Sequence, residues 1–189
     1  MTTFLLIRHG ETGIEEKTQK PEDSLSKQGF EQAKKLAKQV KAFSVESIYA
    51  SPYQRALRTA EILASVFTPT LIPISDDRLI EISLWVDPVD LHDDTSEEYK
   101  RSFAVLNEAW ERVGELLKEL RENHQGETIA LVCHGNLIRA IVGYALKMSL
   151  ESIVRLKVDL VSVSVLEWVD EGYFRLSLFN DTCHLRNEK

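Results

Sequence analysis

The chain has 189 residues, of which 43% are apolar and 28% are charged, as in ordinary globular proteins. This composition excludes a collagen, a low-complexity tail and a disulfide-rich miniprotein, and a chain of this length is expected to bury roughly 70% of its extended surface without help from a metal or disulfide. The 23 basic side chains face 30 acidic ones, and the net charge of −7 argues against a nucleic acid or an anionic membrane as partner.

Short apolar runs alternate with amphipathic segments in the N-terminal half of the chain. Residues 4–7 (FLLI) predict a buried strand, and the apolar spacing over residues 26–43 predicts an amphipathic helix. Ser47–Ala50 predicts a second strand. The Ser-Pro pair at 51–52 offers an N-cap and a proline for the first helical position, which predicts a helix to about Phe67.

The middle of the chain is less regular. Residues 68–73 form a connection rich in helix-breaking residues, and residues 74–94 show no clear period. The TSEE sequence at 95–98 predicts the start of a long helix that ends near Asn123.

The last third returns to alternation and ends in strands. Thr128–Cys133 predicts a buried strand, and a helix is expected from Gly135 to about Lys147. Two β-rich stretches at 161–169 and 173–179 predict a hairpin with a short turn between them.

The order of these elements predicts the fold class. Strands that alternate with helices, without a linker or an internal repeat, indicate one α/β domain over residues 1–189. We expect a three-layer α/β/α sandwich with a mainly parallel sheet and an antiparallel hairpin at one edge.

Cysteine usage and hydropathy bear on the compartment. Cys133 and Cys183 permit at most one disulfide. The first apolar run is too short for the core of a secretory signal, and no run approaches the ~18 apolar residues of a membrane helix. We therefore expect free thiols, a cytoplasmic location and no membrane partner.

The first chemically informative segment is RHGET at residues 8–12, directly after the first predicted strand. Ligands of open α/β sheets bind at the carboxyl ends of strands. The guanidinium of Arg8 suits phosphate oxygens, His9 offers a nucleophilic nitrogen, and Gly10 lets the backbone come close to a ligand. Taken alone, the five residues fit a surface turn with an incidental histidine slightly better.

A second segment, Cys133-His134-Gly135, repeats the order of strand, histidine, glycine and helix. With 5 histidines and 8 glycines in the chain, chance predicts about 0.2 His-Gly pairs, yet two occur, both at predicted strand ends. A histidine that simply packs at a helix start is less probable in this context, but it stays open as an alternative.

Arg55 and Arg58 are i,i+3 neighbours in the first turns of the predicted second helix. Helix N-termini favour anions, so two arginines there oppose the helix dipole, and an anionic ligand would resolve the conflict. For Arg58 the alternative is a solvated basic face paired to Glu61. Glu81, in an irregular stretch, carries no signal by itself.

Together, these segments resemble the histidine phosphatase superfamily, the phosphoglycerate-mutase-like clan. The motifs that carry the resemblance are RHGET at 8–12, LSKQGFEQA at 25–33, SPYQRALRTAE at 51–61, Leu79-x-Glu81, CHG at 133–135 and NDTCHL at 180–185. They span nearly the whole chain in the family's order. The third motif places the family's arginine on Arg55 rather than Arg58.

The resemblance implies a phosphomonoester hydrolase that acts through a phosphohistidine on a small phosphorylated substrate, without a cofactor or a metal ion. It implies that His9 is the nucleophile and that Glu81 protonates the leaving oxygen and then activates water. The groups expected to hold the phosphoryl oxygens are Arg8, Arg55 and the second catalytic histidine, His134, assisted by Thr12 or the backbone near Gly135 and Asn136. Three or four charge-assisted hydrogen bonds, each worth roughly 1.5–3 kcal/mol, could hold a dianion in this way.

The chain departs from the family pattern at two places. Ile14 and Glu15 stand where many members have Trp and Asn, so a carboxylate replaces an amide that often lies near phosphate. Residues 82–88 (ISLWVDP) replace a common Gly-x-Trp-Glu-Gly stretch after the acid. We expect the region 82–99 to set the substrate, because it is the least family-like stretch near the acid.

Four alternatives remain open at this point. Cys133 and Arg139 fit the Cys-x5-Arg pattern of tyrosine phosphatases, with Asp87-Pro88 imitating their acid loop, although we expect Cys133 to be a buried strand residue. A phosphoglycerate mutase is a closer alternative, but mutases of the family are usually longer, which favours hydrolysis. If Glu81 points away from the site, a phosphohistidine protein phosphatase or a non-catalytic binding module gains weight.

Overall fold

The structure is a computed structural model that describes residues 1–84, 96–170 and 172–186. In these residues the strands form one six-stranded sheet with the order β3-β2-β4-β1-β5-β6. The strands are β1 (Thr2–Arg8), β2 (Ser47–Ala50), β3 (Ile74–Ser75), β4 (Thr128–Cys133), β5 (Val163–Asp170) and β6 (Tyr173–Asp181). The helices are α1 (Lys27–Val40), α2 (Gln54–Ala64), α3 (Glu97–Asn123), α4 (Gly135–Leu146) and α5 (Leu150–Ile153).

The sheet is parallel in its first part and antiparallel at one edge. β1 is parallel to β4, and β2 lies parallel between β4 and β3. β5 runs antiparallel to both β1 and β6, and the β5–β6 pair is the predicted edge hairpin. The predicted mainly parallel sheet with an antiparallel edge hairpin is confirmed.

Side chains of β1 enter two separate cores. Leu5 and Ile7 pack with apolar residues of α1 and α2 on one face of the sheet. Phe4 and Leu6 pack with α3 and α4 on the other face. All four side chains are fully buried. Because β1 is covered on both faces, its sequence is a continuous apolar run. The predicted three-layer arrangement is confirmed.

The structure corrects the predicted start of α2. The N-cap is Tyr53, without a capping side-chain bond, and the helix begins at Gln54 and ends at Ala64. Ser51 does not cap the helix. Its buried hydroxyl lies 2.8 Å from Nε2 of His134, directly after the neighbouring strand β4, and accepts the backbone N–H of Tyr53 at 3.4 Å. A tertiary hydrogen bond therefore replaces the local cap.

The segment predicted to be irregular contains two short elements. β3 occupies Ile74–Ser75, and a 3-10 turn at Asp77–Leu79 is capped by the side chain of Asp76. A two-residue strand is too short to show an alternating pattern, so periodicity does not predict it. The short helix α5 was likewise not predicted. Residues 85–95 lie outside the described part of the chain.

The long helix α3 begins after Ser96, whose side chain accepts a hydrogen bond from the backbone N–H of Tyr99. This start agrees with the prediction from the TSEE sequence. Among the residues that the structure describes, no helix combines the length and the hydropathy that crossing a bilayer requires.

The loop after β1 is fixed against the N-terminus of α1. Ser26 caps α1 through the backbone N–H of Gly29, and its hydroxyl also bonds to the carboxylate of Glu11. The side-chain oxygen of Gln32 accepts the backbone N–H of Glu11 at 3.1 Å. Gly29 allows this approach, because a Cβ there would lie 2.0 Å from the Glu11 carbonyl oxygen. The LSKQGFEQA motif thus acts by holding the loop that carries His9.

We predict that Gly29→Ala destabilises the protein, because the added methyl group would collide with backbone that has no room to move. Overpacking of this kind costs about 1–3 kcal/mol. Gly114→Ala in α3 is the matched control, since its Cβ would meet only the end of the Tyr144 side chain, which is partly exposed and can rotate. Urea denaturation should show a lower unfolding free energy for Gly29→Ala only; equal losses in both variants would contradict the argument.

Candidate active site

The two His-Gly segments meet at one edge of the sheet. His9 follows β1 and His134 follows β4, and these strands are parallel neighbours in which Arg8 lies opposite Cys133. The two imidazole ring centres are 5.1 Å apart, with an angle of 65° between the ring planes. Residues far apart in the sequence therefore form one compact pair of rings.

His9 is held in a single tautomer. Its Nδ1 lies 2.8 Å from the Gly10 carbonyl oxygen, which can only accept, so Nδ1 carries the proton. Nε2 therefore carries the lone pair, and it accepts a hydrogen bond from Nε of Arg55 at 3.2 Å. Burial, together with the charges of Arg8 and Arg55, lowers the pKa of His9 to about 3, although the hydrogen bond to Gly10 acts in the opposite direction. The ring is neutral at physiological pH.

His134 is fully buried at the N-cap position of α4. Its Nε2 lies 2.8 Å from the Ser51 hydroxyl, and the ring of Tyr53 packs edge-on against it with the centres 5.2 Å apart. Nδ1 is buried and has no partner among the described residues. Burial holds the pKa of His134 well below its usual range, and His9, Arg55 and Arg8 act in the same direction.

Two buried guanidinium groups stand beside these rings. Arg8 is 9% exposed and donates to the carbonyl oxygen of Val158 at 2.6 Å. Arg55 is 3% exposed and donates to the carbonyl oxygen of Lys20 at 2.9 Å. Backbone carbonyls, which carry no net charge, thus orient both groups, and the ion pair of Arg8 is with a half-exposed glutamate, Glu16. The buried part of the site is therefore electropositive and suits an anion.

Gly135 makes room for one of these groups. A Cβ at this position would lie 3.2 Å from the guanidinium carbon of Arg8, a tighter contact than most side chains tolerate. Arg58 behaves differently from Arg55: it is exposed and pairs with Glu61 at 2.7 Å. The alternative given above for Arg58, a solvated basic face, is confirmed.

Glu81 lies at the N-terminus of α4. Its carboxylate accepts the backbone N–H groups of Asn136 at 3.3 Å and Leu137 at 3.0 Å, and that of Ile82 at 3.0 Å. Burial raises the pKa of Glu81 above its ordinary value, although the three hydrogen bonds and the charge of Arg8 oppose the shift. An acid with a raised pKa therefore lies beside the helix start that His134 caps.

Two other predicted phosphate ligands are engaged elsewhere. The Thr12 hydroxyl accepts from the backbone of Ile14 at 3.1 Å and from the Gln19 side chain at 2.9 Å. The Asn136 side chain donates to the Ile82 carbonyl oxygen at 3.3 Å, and its backbone N–H is the one given to Glu81. Both residues border the site, but their polar groups serve the surrounding loops.

Sequence reasoning missed Ser51, Tyr53 and Glu16. Ser51 and Tyr53 both contact the ring of His134, yet the sequence suggested only a helix cap at Ser51. The carboxylate of Glu16 forms an ion pair with the guanidinium of Arg8. A glutamate in a charged loop carries no signal that would pair it with a particular arginine.

Cys133 does not face the site. It is fully buried in the core between the sheet and the helices α3 and α4, and burial raises the pKa of its thiol above the usual range. A thiol that resists ionisation is a poor nucleophile. The expectation that Cys133 is a buried strand residue is confirmed, and the cysteine phosphatase alternative loses its nucleophile.

Within residues 1–84, 96–170 and 172–186, no group of three or more His, Cys, Asp or Glu side chains is arranged to hold a metal ion. The region 82–99 is expected to set the substrate. Its residues 85–95 lie outside the described part of the chain. They include Asp87 and Pro88 of the cysteine phosphatase alternative.

Comparison with known proteins identifies the family. The family model described as histidine phosphatase superfamily, branch 1, matches residues 4–182. The chain belongs to this superfamily. The resemblance drawn from the motifs is therefore confirmed.

Relatives in the superfamily are enzymes of similar length. Phosphoserine phosphatase 1 of Hydrogenobacter thermophilus is 30% identical over 205 residues, which cover 98% of this chain and 95% of the relative. The 2,3-bisphosphoglycerate-dependent phosphoglycerate mutase of Thermoplasma acidophilum is 28% identical over 178 residues, 88% of either chain. A mutant phosphoserine phosphatase of Entamoeba histolytica, solved with phosphoserine, has a TM-score of 0.77 and 25% identity, covering 98% of this chain and 100% of its own.

We predict that Glu16→Gln tightens the binding of inorganic phosphate, because the Glu16 carboxylate competes for the Arg8 guanidinium. The side chain of Glu16 is 49% exposed, so the gain is that of a solvated ion pair. Such pairs are worth about 0.2–1 kcal/mol, or about 1.5- to 5-fold in Kd. Titration calorimetry with phosphate measures the change.

Glu15→Gln is the control for net charge, since Glu15 is an exposed neighbour whose carboxylate is not paired with Arg8. It should leave the Kd for phosphate unchanged. An equal gain in both variants would mean that only the overall charge matters, and weaker binding in Glu16→Gln would show that Glu16 supports the anion site.

Proposed function

We propose that the protein is a phosphomonoester hydrolase that transfers the phosphoryl group of a small phosphorylated metabolite to Nε2 of His9 and then to water. One observation carries this proposal: His9 is neutral, and its Nε2 presents a lone pair beside the buried guanidinium of Arg55. Attack on a phosphoryl dianion needs a neutral imidazole and fixed positive charge more than other help from the protein.

In the first half-reaction, Nε2 of His9 forms a bond to phosphorus while the bond from phosphorus to the leaving oxygen breaks. Arg55 exchanges its contact with His9 for a phosphoryl oxygen, and Arg8 holds another. His134 helps to hold the phosphoryl oxygens through its Nδ1, which is buried and has no partner among the described residues. Glu81 enters this step protonated and gives its proton to the leaving oxygen, so that an alcohol departs.

In the second half-reaction, water attacks the phosphohistidine. Glu81, now a carboxylate, accepts a proton from the water molecule as its oxygen bonds to phosphorus and the bond from phosphorus to His9 breaks. Inorganic phosphate leaves, and both Glu81 and the lone pair of His9 return to their starting states. The same carboxyl group thus serves as acid and then as base.

The remaining site residues have supporting roles in this proposal. Gly135 keeps space beside Arg8, and its N-terminal position in α4 brings backbone close to the anion. Thr12 organises the loop that carries His9, and Asn136 gives its backbone N–H to Glu81. We infer that these last two residues shape the site rather than hold most of the phosphate charge.

The reaction as proposed needs no metal ion or cofactor, because two guanidinium groups neutralise the dianion. We propose that the protein is one domain over residues 1–189 and that it is cytoplasmic. The cytoplasmic location is supported by Cys133 and Cys183, which do not form a disulfide with each other.

Phosphoserine is the first substrate to test, because two of the relatives are phosphoserine phosphatases. The mutase relative makes 3-phosphoglycerate the second. Release of inorganic phosphate would indicate hydrolysis, whereas interconversion of 2- and 3-phosphoglycerate without release would indicate a mutase. The position of Glu81 beside His134 gives no reason to favour a phosphohistidine protein as substrate.

We predict that His9→Ala abolishes phosphate release from phosphoserine, 3-phosphoglycerate and p-nitrophenyl phosphate. Loss of a nucleophile costs at least ~1,000-fold in kcat. Cys133→Ala is the control, because Cys133 is fully buried in the core between the sheet and the helices α3 and α4. Activity that survives in His9→Ala, or is lost only in Cys133→Ala, would disprove the proposed mechanism.

We also predict a substrate-dependent pH profile. The raised pKa of Glu81 lets it donate a proton at low pH, and this ability is lost as the pH rises through that pKa. For alkyl phosphates, whose leaving oxygen needs the proton, kcat/KM should therefore fall relative to p-nitrophenyl phosphate as pH increases. His9, with a pKa of about 3, stays neutral throughout this range.

Glu81→Gln supplies the check on this profile. It should lower kcat/KM for alkyl phosphates by about 10²- to 10⁴-fold and make the ratio of the two substrates independent of pH. A ratio that changes with pH in the same way in Glu81→Gln would assign the titration to another group.

A further inference from the structure

Glu81 lies in a stretch without regular secondary structure, and an acid that transfers protons needs a fixed position. Leu79, Ile82 and Leu84 anchor the stretch, because their side chains are buried in the core with α3 and α4. Burial fixes the path of the chain, but it does not orient the peptide groups near Glu81. Two hydrogen bonds from side chains of the neighbouring helices do so.

The peptide group before Glu81 is held from α3. Nη2 of Arg112 donates to the Ile80 carbonyl oxygen at 2.9 Å. Arg112 is half-buried, and burial lowers the pKa of its guanidinium. None of the ion pairs among the described residues includes Arg112, and its Nε is buried without a partner. The carboxylate whose charge acts most strongly on it is that of Glu81.

A second peptide group of this stretch, the one between Ile82 and Ser83, is held from α4. The Asn136 side chain donates to the Ile82 carbonyl oxygen at 3.3 Å. The side-chain oxygen of Asn136 in turn accepts from Nη1 of Arg139 at 2.9 Å, and Nε of Arg139 donates to the Leu156 carbonyl oxygen at 2.7 Å. Arg139, the arginine of the Cys-x5-Arg pattern, therefore orients Asn136.

A half-buried guanidinium without an ion pair costs stability, since it loses hydration that no carboxylate replaces. Its placement is then better explained by function than by stability. Arg112 and Arg139 belong to different helices, and both act on the backbone near Glu81 rather than on its carboxylate. Arg112 donates to the carbonyl group directly before Glu81, and Arg139 orients the Asn136 side chain that donates to the Ile82 carbonyl oxygen. Together they leave the Glu81 peptide segment little freedom to rotate.

We propose that Arg112, with Arg139 acting through Asn136, is a positioning residue for Glu81 and sets the efficiency of its proton transfer to the leaving oxygen. This inference rests on the proposed function. The hydrogen bonds of both arginines go to Ile80, Asn136 and Leu156 rather than to His9, His134, Arg8 or Arg55, so their loss should affect only steps that need the Glu81 proton. A substrate with a good leaving group, such as p-nitrophenyl phosphate, does not need that proton.

The test measures kcat/KM for two substrates in Arg112→Met and Arg139→Met. kcat/KM is the right quantity because it reports the steps up to departure of the leaving group and excludes attack by water. With phosphoserine, or another alkyl phosphate that the parent protein hydrolyses, each variant should lose about tenfold or more. With p-nitrophenyl phosphate the change should stay within about twofold, since general acid catalysis accounts for about 10²- to 10⁴-fold only where the proton is needed.

Arg101→Met is the control, because Arg101 is exposed on the same helix α3 and its loss changes the net charge equally. It should behave like the parent protein with both substrates. A second measurement places Arg112→Met in a Glu81→Gln background, where it should cause no further loss with the alkyl phosphate. A purely structural role would not produce this non-additivity.

Equal losses with both substrates, no loss with either, or a further loss in the Glu81→Gln background would overturn the inference. Failure of the proposed function gives a different result, namely activity that survives in His9→Ala. The positioning role is therefore tested only after activity has been shown to depend on His9. Thermal unfolding of each variant then separates misfolding from misplacement of Glu81.

Discussion

The parallel pairing of β1 with β4 is the constraint on which the site depends. Because Arg8 lies opposite Cys133, the residues that follow the two strands emerge together, and the rings of His9 and His134 meet. A shift of the pairing by one residue would turn one of these rings toward the other face of the sheet. Both strands are buried on both faces, so such a shift would also exchange side chains between the two cores, whose different shapes they fill. Core packing thus decides the geometry of the polar site.

The charges of the site are unbalanced without a ligand. Arg8 and Arg55 are buried, yet they are oriented mostly by backbone carbonyl oxygens, and the carboxylate paired with Arg8 belongs to the half-exposed Glu16. The same positive charges help keep His9 and His134 neutral. An arrangement that repels protons from two imidazoles while it attracts an anion favours a phosphoryl group over a cation. The excess of buried positive charge lowers the stability of the folded protein, and binding of an anion raises that stability.

The parts of the fold that followed from the sequence are those governed by local pattern. β2 and β4 match their predicted bounds because a strand covered on both faces is an apolar run with polar flanks. The start of α2 did not follow, because the partner of Ser51 lies 83 residues away along the chain. Only the family resemblance predicted a role for Glu81. Its partners are backbone N–H groups of α4, and no pattern of side chains in the sequence predicts such a contact. Local rules therefore predict elements, whereas the site is made of contacts between elements.

The N-terminus of α4 bears on the two roles proposed for Glu81, first as acid and then as base. Helix N-termini attract anions, and here the N–H groups of Asn136 and Leu137 donate to the Glu81 carboxylate. These bonds favour the carboxylate, while burial favours the protonated form and prevails. The opposing effects bring the two protonation states closer in free energy than burial alone would, which suits a group that must give a proton and then take one back. Since the N–H groups of Asn136 and Leu137 bond to the acid, the proposed mechanism assigns the phosphoryl oxygens mainly to the guanidinium and imidazole side chains. The two buried arginines of the site are consistent with this division of donors.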